Sequence, residues 1–240
     1  MKKMILLFAV LIAFVFAFSA CANAEVVDQA EAPQVEAEQA EVTQADAGQA
    51  EEPNPYYLVL VNKENRIPGD WEENLKLVEF TGLDGGTYHL EEETFNHFNA
   101  LHDALLEEGI DIGVYGAYVS SDSQVFLTSL MQEHFGLDYV EQYMDAPDYY
   151  EHQTGLAIDV GLIKDGVEIF NEDDLRKETE IFEKIYAKLP EYGFILRYPG
   201  DKKDVTMHLA EPWHIRYVGS VDVAKEIAEK GITLEEYLGG

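Results

Sequence analysis

Residues 22–55, ANAEVVDQAEAPQVEAEQAEVTQADAGQAEEPNP, contain no aromatic residue, no lysine and no arginine. That gap limits where the chain can fold. A segment built largely from Ala, Glu and Gln cannot bury enough apolar area to offset the entropy of ordering it. Its apolar residues form no sustained helical stripe. Residues 21–55 are therefore expected to be a disordered acidic tether. One folded domain is expected over 56–240, where aromatic and branched residues return. The chain of 240 residues is 47% hydrophobic and 12% aromatic, enough for one sizeable core. Its formal net charge of -31 repels phosphate backbones and anionic headgroups. Nucleic acid is thus not an expected partner.

The first residues, MKKMILLFAVLIAFVFAFSAC, begin with Lys2 and Lys3, continue as an apolar run, and end in small residues before Cys21. This is the order of an export signal. The FSAC end resembles the bacterial lipobox, where the cysteine thiol is lipidated and the chain is cut just before it. Residues 1–20 are expected to be a lipoprotein signal peptide and Cys21 the lipidation site. The body then lies outside the cytoplasmic membrane and touches it only through the lipid. An uncleaved apolar anchor, the alternative, gives the same side. With a single cysteine, no internal disulfide can form.

The body mixes helical and strand periods. YYLVLVN, 56–62, reads as a strand. EEETFNHFNALHDALLEEG reads as a helix with Phe95, Phe98, Leu101 and Leu105 on one face and Gly109 after its end. IDIGVYGAYVS reads as a strand. SDSQVFLTSLMQEHFG reads as a helix opened by a Ser121–Gln124 capping box. GLAIDVGLI, FILRYP and EPWHIRYVG read as strands. LRKETEIFEKIYAKLPEYG reads as a helix, and two short helices follow, the last with a Thr233–Glu236 box. This irregular order predicts an α+β domain with a central antiparallel sheet flanked by helices.

The chemistry centres on YEHQTGLAID, 150–159. His152 and Asp159 bracket a turn into a strand, so both can reach one point. A catalytic zinc takes three protein ligands and keeps one open position. His214 in EPWH is the best third ligand. Glu211, three residues earlier, is placed to act as general base. The bland reading makes these ordinary hydrogen-bonding residues and Trp213 plain core. His89, His97, His102, His134 and His208 have no comparable partners in the sequence, and His97 and His102 fall on a helix face.

EHQTGLAID, YGFILRYP and EPWHIRYVG, with LVLVNKENRIP before and GITLEEYL after, together resemble the VanY-type D-alanyl-D-alanine carboxypeptidases. These are zinc peptidases of the bacterial cell wall, and the resemblance spans 56–238. It implies Zn2+ as cofactor, with His152, Asp159 and His214 as ligands and Glu211 as catalytic carboxylate. It also implies peptidoglycan stem peptides as substrate, cut at a D,D bond or, as in some relatives, an L,D bond. A monomer is expected.

The resemblance also implies substrate contacts at Tyr118, Ser120, Gln124, Tyr150 and Trp213, and here the chain departs from the pattern. The family run Tyr-Arg-Ser-Tyr-x-x-Gln becomes YVSSDSQ, with Val119 in place of the arginine. Tyr150 stands where the family has serine, and Met207 where it has glycine. No lysine or arginine occurs between Lys76 and Lys164 to replace the missing charge, and Arg197 and Arg216 fall where the family already has arginines. Two function classes follow: a carboxypeptidase with altered substrate contacts, or a weak or inactive relative that binds wall peptide.

Overall fold

The computed structural model describes residues 53–138, 140 and 144–239. The expected signal peptide, Cys21 and nearly all of the tether lie outside these residues. The body is the expected α+β domain. Its main sheet is wholly antiparallel, built from β3 (Asp111–Gly116), β4 (Ala157–Lys164), β5 (Val167–Ile169), β6 (Phe194–Leu196) and β7 (His214–Tyr217). The order is β3-β4-β7-β6, with β5 returning on β4. The β4–β5 turn is Asp165-Gly166, both at positive φ (54° and 75°), as a tight hairpin turn requires.

Helices cover the sheet. Between the short α1 (Trp71–Asn74) and β3 runs a separate hairpin, β1 (Leu77–Thr81) and β2 (Thr87–Glu91), leading straight into α2 (Glu92–Glu107). The side chain of Glu91 accepts from Thr94 N at 2.9 Å and so caps α2. Phe98, Leu101 and Leu105 then face inward, with Phe95 partly buried beside them. They meet Ile112, Val114, Ile158, Val160 and Leu162 of the sheet, and Phe182 and Ile185 of α5 (Thr179–Lys188), which follows α4 (Glu172–Leu175). The carboxyl end closes with α6 (Lys203–Thr206), α7 (Val221–Lys230) and α8 (Leu234–Tyr237). The Thr233–Glu236 capping box of α8 forms as expected.

Three local expectations change. Residues 56–62 alternate like a strand yet pair with no strand among the described residues. Tyr56 stacks on Trp71 at 4.5 Å, and the carbonyls of Tyr57 and Val59 accept from Arg216 Nη2 at 3.0 and 2.9 Å. A guanidinium satisfies the backbone groups that a neighbouring strand would otherwise take. Helix α3 (Ser121–Phe135) is capped by Ser120, whose Oγ accepts from Ser123 N at 3.2 Å, one residue before the expected cap. The helix read over 175–193 is broken into α4, α5 and a 3-10 turn at Leu189–Tyr192. The β1–β2 hairpin has no counterpart in the sequence reading.

Gly219 fixes how the amino-terminal segment crosses β7. Its φ is +70°, and a Cβ there would lie 2.4 Å from the Tyr57 ring. Tyr57 in turn packs edge-on against Tyr217 at 5.2 Å. Gly219→Ala is expected to cost about 1–3 kcal/mol through strain and overpacking. Urea unfolding checks this, and an unchanged midpoint would contradict the crossing.

Candidate metal centre

The sheet register builds the centre. Strand β4 pairs with β7 so that Asp159 stands opposite His214, and with β3 so that Asp159 stands opposite Gly116. A Cβ on Gly116 would lie 2.2 Å from Asp159 Oδ2, so the bare backbone there makes room for the carboxylate. His152 comes from the 3-10 turn Glu151–Thr154 just before β4, which ends at Gly155 with φ +72°. The donor atoms of His152, Asp159 and His214 all lie within 4.8 Å of one another. His152 Nε2 is 3.1 Å from Asp159 Oδ2, and His214 Nδ1 is 3.0 Å from Asp159 Oδ1.

These atoms fit a bound cation better than they fit each other. Asp159 Oδ1 is buried and has no hydrogen-bond partner among the described residues, despite its approach to His214. His214 Nε2 meets Glu151 Oε2 at 3.0 Å. A carboxylate only accepts, so Nε2 carries a proton, and a cation standing in for the proton between Nδ1 and Asp159 would leave Nδ1 as the ligand atom. Orientation of a ligand imidazole by a carboxylate is a recurrent feature of zinc sites. Two histidine nitrogens and one carboxylate oxygen make the donor set of a catalytic zinc with an open position.

Glu151 is itself held by cations. It is 1% exposed, and accepts from Arg197 Nε at 2.6 Å and Arg216 Nη1 at 2.8 Å. Arg197 also forks onto Glu235 of α8 at 2.9 and 2.7 Å. Burial opposes charge on Glu151, but the two guanidinium groups override it and hold the carboxyl well below the usual range. For His214 burial also opposes charge, yet contact with Asp159 and Glu151 carries the ring up to about 10. The local field calls for positive charge at this point.

Glu211 lies at the rim, with Oε2 3.5 Å from His214 Nδ1. Burial first, then the carboxylates of Asp159, Glu172 and Asp145, push it up to about 7 against the pull of His214. A cation bound beside it would lower that value. Tyr150 packs its ring 5.1 Å from His152. Burial, then the charges of Asp159 and Glu211, raise its hydroxyl well above 10, so it stays an O–H donor.

A family model described as VanY: D-alanyl-D-alanine carboxypeptidase matches residues 87–220. The chain belongs to the VanY family. It is 35% identical over 186 residues to the bifunctional D-Ala-D-Ala dipeptidase and D-Ala-D-Ala carboxypeptidase VanXYC of Enterococcus gallinarum, covering 75% of this chain and 92% of that protein. Among solved structures, the LdcB LD-carboxypeptidase superposes with TM-score 0.65 at 31% identity, over 77% of this chain and 87% of that one. A mutant of the vancomycin-resistance D,D-pentapeptidase VanY, solved in complex with Zn(II), gives TM-score 0.63 at 27% identity, over 77% of this chain and 99% of that one.

Set against the VanY pattern, the expected substrate contacts separate. Trp213 is 4% exposed in the main core, under Arg176 at 4.6 Å, and serves packing. Ser120 caps α3, and Tyr118 turns toward Glu72. Gln124 is 1% exposed and donates to Asp145 O at 2.9 Å, so it is no capping residue. Val119 N donates to His152 O at 3.3 Å, which keeps the altered position beside the centre. Neither Arg197 nor Arg216 can replace the missing arginine. Both are fully buried, and their donors are taken by Glu151, Glu235 and backbone carbonyls. His208 does have partners: it stacks on Tyr198 at 4.2 Å and lies 3.4 Å from Asp145. Glu151 was hidden in the sequence although it adjoins His152, because spacing does not show a carboxylate turned back toward a distant histidine.

Two variants test the centre. Gly116→Ala is expected to displace Asp159 and weaken zinc binding at least about tenfold, with the fold retained. Competition with a chromophoric chelator measures it, and unchanged affinity would remove Asp159 from the site. Glu151→Gln is expected to weaken zinc binding about 10- to 100-fold. It also strips two buried arginines of their counter-charge, so a stability loss of about 3–5 kcal/mol should accompany it in denaturant titration.

Proposed function

We propose that the protein is a zinc-dependent carboxypeptidase that trims peptidoglycan stem peptides at their D-alanyl end. The observation that supports this most is the meeting of His152, Asp159 and His214 at one point with Glu211 beside it, in a VanY-family chain. Those three residues would hold the ion, which when bound supplies Lewis-acid polarisation of the scissile carbonyl and activation of water. Glu211 is placed to accept a proton from the attacking water and pass it to the leaving amine. Tyr150 offers a neutral O–H donor near His152.

The same geometry supports altered substrate contacts. An apolar Val119 donates no side-chain hydrogen bond to a substrate carboxylate, and the two arginines behind His214 are fully engaged. Weak turnover of standard D-Ala-D-Ala stems follows. The alternative, a wall-peptide-binding module without turnover, draws on the same absence. Cleavage at an L,D bond draws on the likeness to LdcB. The sequence of residues 1–21 supports an exported lipoprotein, with 21–55 as the tether that carries the body into the wall.

The test is incubation of zinc-loaded protein with defined pentapeptide and tetrapeptide stems, with products read by mass. Native protein should release D-alanine, with about one zinc per chain as a three-ligand site requires. Glu211→Gln should keep the zinc and lose turnover by about 10²–10⁴. Unchanged turnover would place the base elsewhere. If the native protein binds both stems and cleaves neither, the binding-module reading replaces the enzyme.

A further inference from the structure

Next to Glu211 lies a cluster that the reading above leaves without a task. Gln124 Oε1, Asp145 Oδ1 and His208 Nε2 are all buried, and none has a hydrogen-bond partner among the described residues. They belong to one place. Gln124 Nε2 donates to the Asp145 carbonyl at 2.9 Å, and His208 Nε2 is 3.4 Å from Asp145 Oδ2 without a hydrogen bond between them. The His208 ring lies nearly flat on Tyr198, 4.2 Å away at 17°, and its Nδ1 is 4.0 Å from Glu211 Oε1. Gln124 is 1% and Asp145 7% exposed. Buried polar atoms nearly always find partners, so three orphans in one cluster ask what satisfies them.

Their chemistry narrows the answer. A carboxylate and an amide oxygen only accept, and a neutral imidazole offers one more acceptor. Burial lowers His208 to about 4, which keeps the ring neutral. Burial raises Asp145 to about 6, against the charge of Lys63, so it is ionised at neutral pH. Among the described residues Lys63 makes no ion pair with Asp145, and Arg197 and Arg216 are engaged elsewhere. Glu211 Oε1 lies 4.0 Å from His208 Nδ1, and Glu151 adds negative charge at both Asp145 and His208 against the positive charge of Lys63 and His214. Three acceptors, one of them charged, match a donor with three N–H groups and a positive charge.

We propose that Gln124, Asp145 and His208 form a subsite for a primary ammonium group of the peptide substrate. In a wall stem peptide the group of that chemistry is the side-chain amine of a diamino acid. This rests on the peptidase reading of the adjacent centre and narrows its substrate class to stems whose amine is free.

The experiment is calorimetric titration of the full-length, zinc-loaded protein with L-Ala-γ-D-Glu-L-Lys and with the same peptide acetylated on the lysine amine. The free amine should bind about 10- to 100-fold more tightly, the worth of a charged hydrogen bond. Asp145→Asn, close in shape, should abolish the preference while zinc content and circular dichroism stay unchanged. Equal affinity of the two peptides for native protein, failure of both to bind, or a preference that survives in Asp145→Asn would overturn the subsite. D-alanine release from longer stems is measured on the same preparations. Release without an amine preference removes the subsite alone, and an amine preference without release removes the carboxypeptidase reading alone.

Discussion

The Glu151 carboxylate, buried among Arg197, Arg216 and His214, is the interaction on which the rest of the site depends. A lone buried carboxylate would surrender its charge; two guanidinium groups keep it ionised. Because it stays ionised, it holds a proton on His214 Nε2, which would leave Nδ1 to a bound metal. Arg216 extends the same network to the carbonyls of Tyr57 and Val59, and Arg197 extends it to Glu235 of the last helix. Both ends of the folded body are thereby tied to one side of one histidine.

The sheet supplies the other half of the geometry. Asp159 and His214 are register partners on adjacent strands, so their separation is set by backbone hydrogen bonds rather than by a flexible loop. Gly116, opposite on the other neighbour, leaves the space the carboxylate fills. His152, on a short turn entering the same strand, needs only a left-handed glycine to join them. The candidate base, by contrast, sits just before β7, where the chain is less constrained by pairing.

What could be read in the sequence followed from periodicity and from motif spacing. Helix α2 and strands β3 and β4 carry long, regular apolar patterns, and each is where the pattern put it. Residues 56–62 carry an equally regular pattern, but alternation reports which faces are buried, not what bonds the backbone; Arg216 does so here. The β1–β2 hairpin escaped because its strands are only five residues long and β1 buries no side chain fully. His152, Asp159, His214 and Glu211 stood out by spacing, and the structure brings all four together. Asp145 and His208 did not, because their approach depends on a loop and a stacked tyrosine far apart in the chain.

The central claim is that Glu151 directs a catalytic zinc to Nδ1 of His214, with His152 and Asp159 completing the protein ligands. Crystallography of the zinc-loaded protein, with anomalous scattering recorded at the zinc edge, tests it most directly. The account predicts one zinc peak bonded to His214 Nδ1, His152 and Asp159, with Glu151 still on His214 Nε2. A zinc on Nε2 of His214, on Glu151 itself, or at any other residues would contradict it.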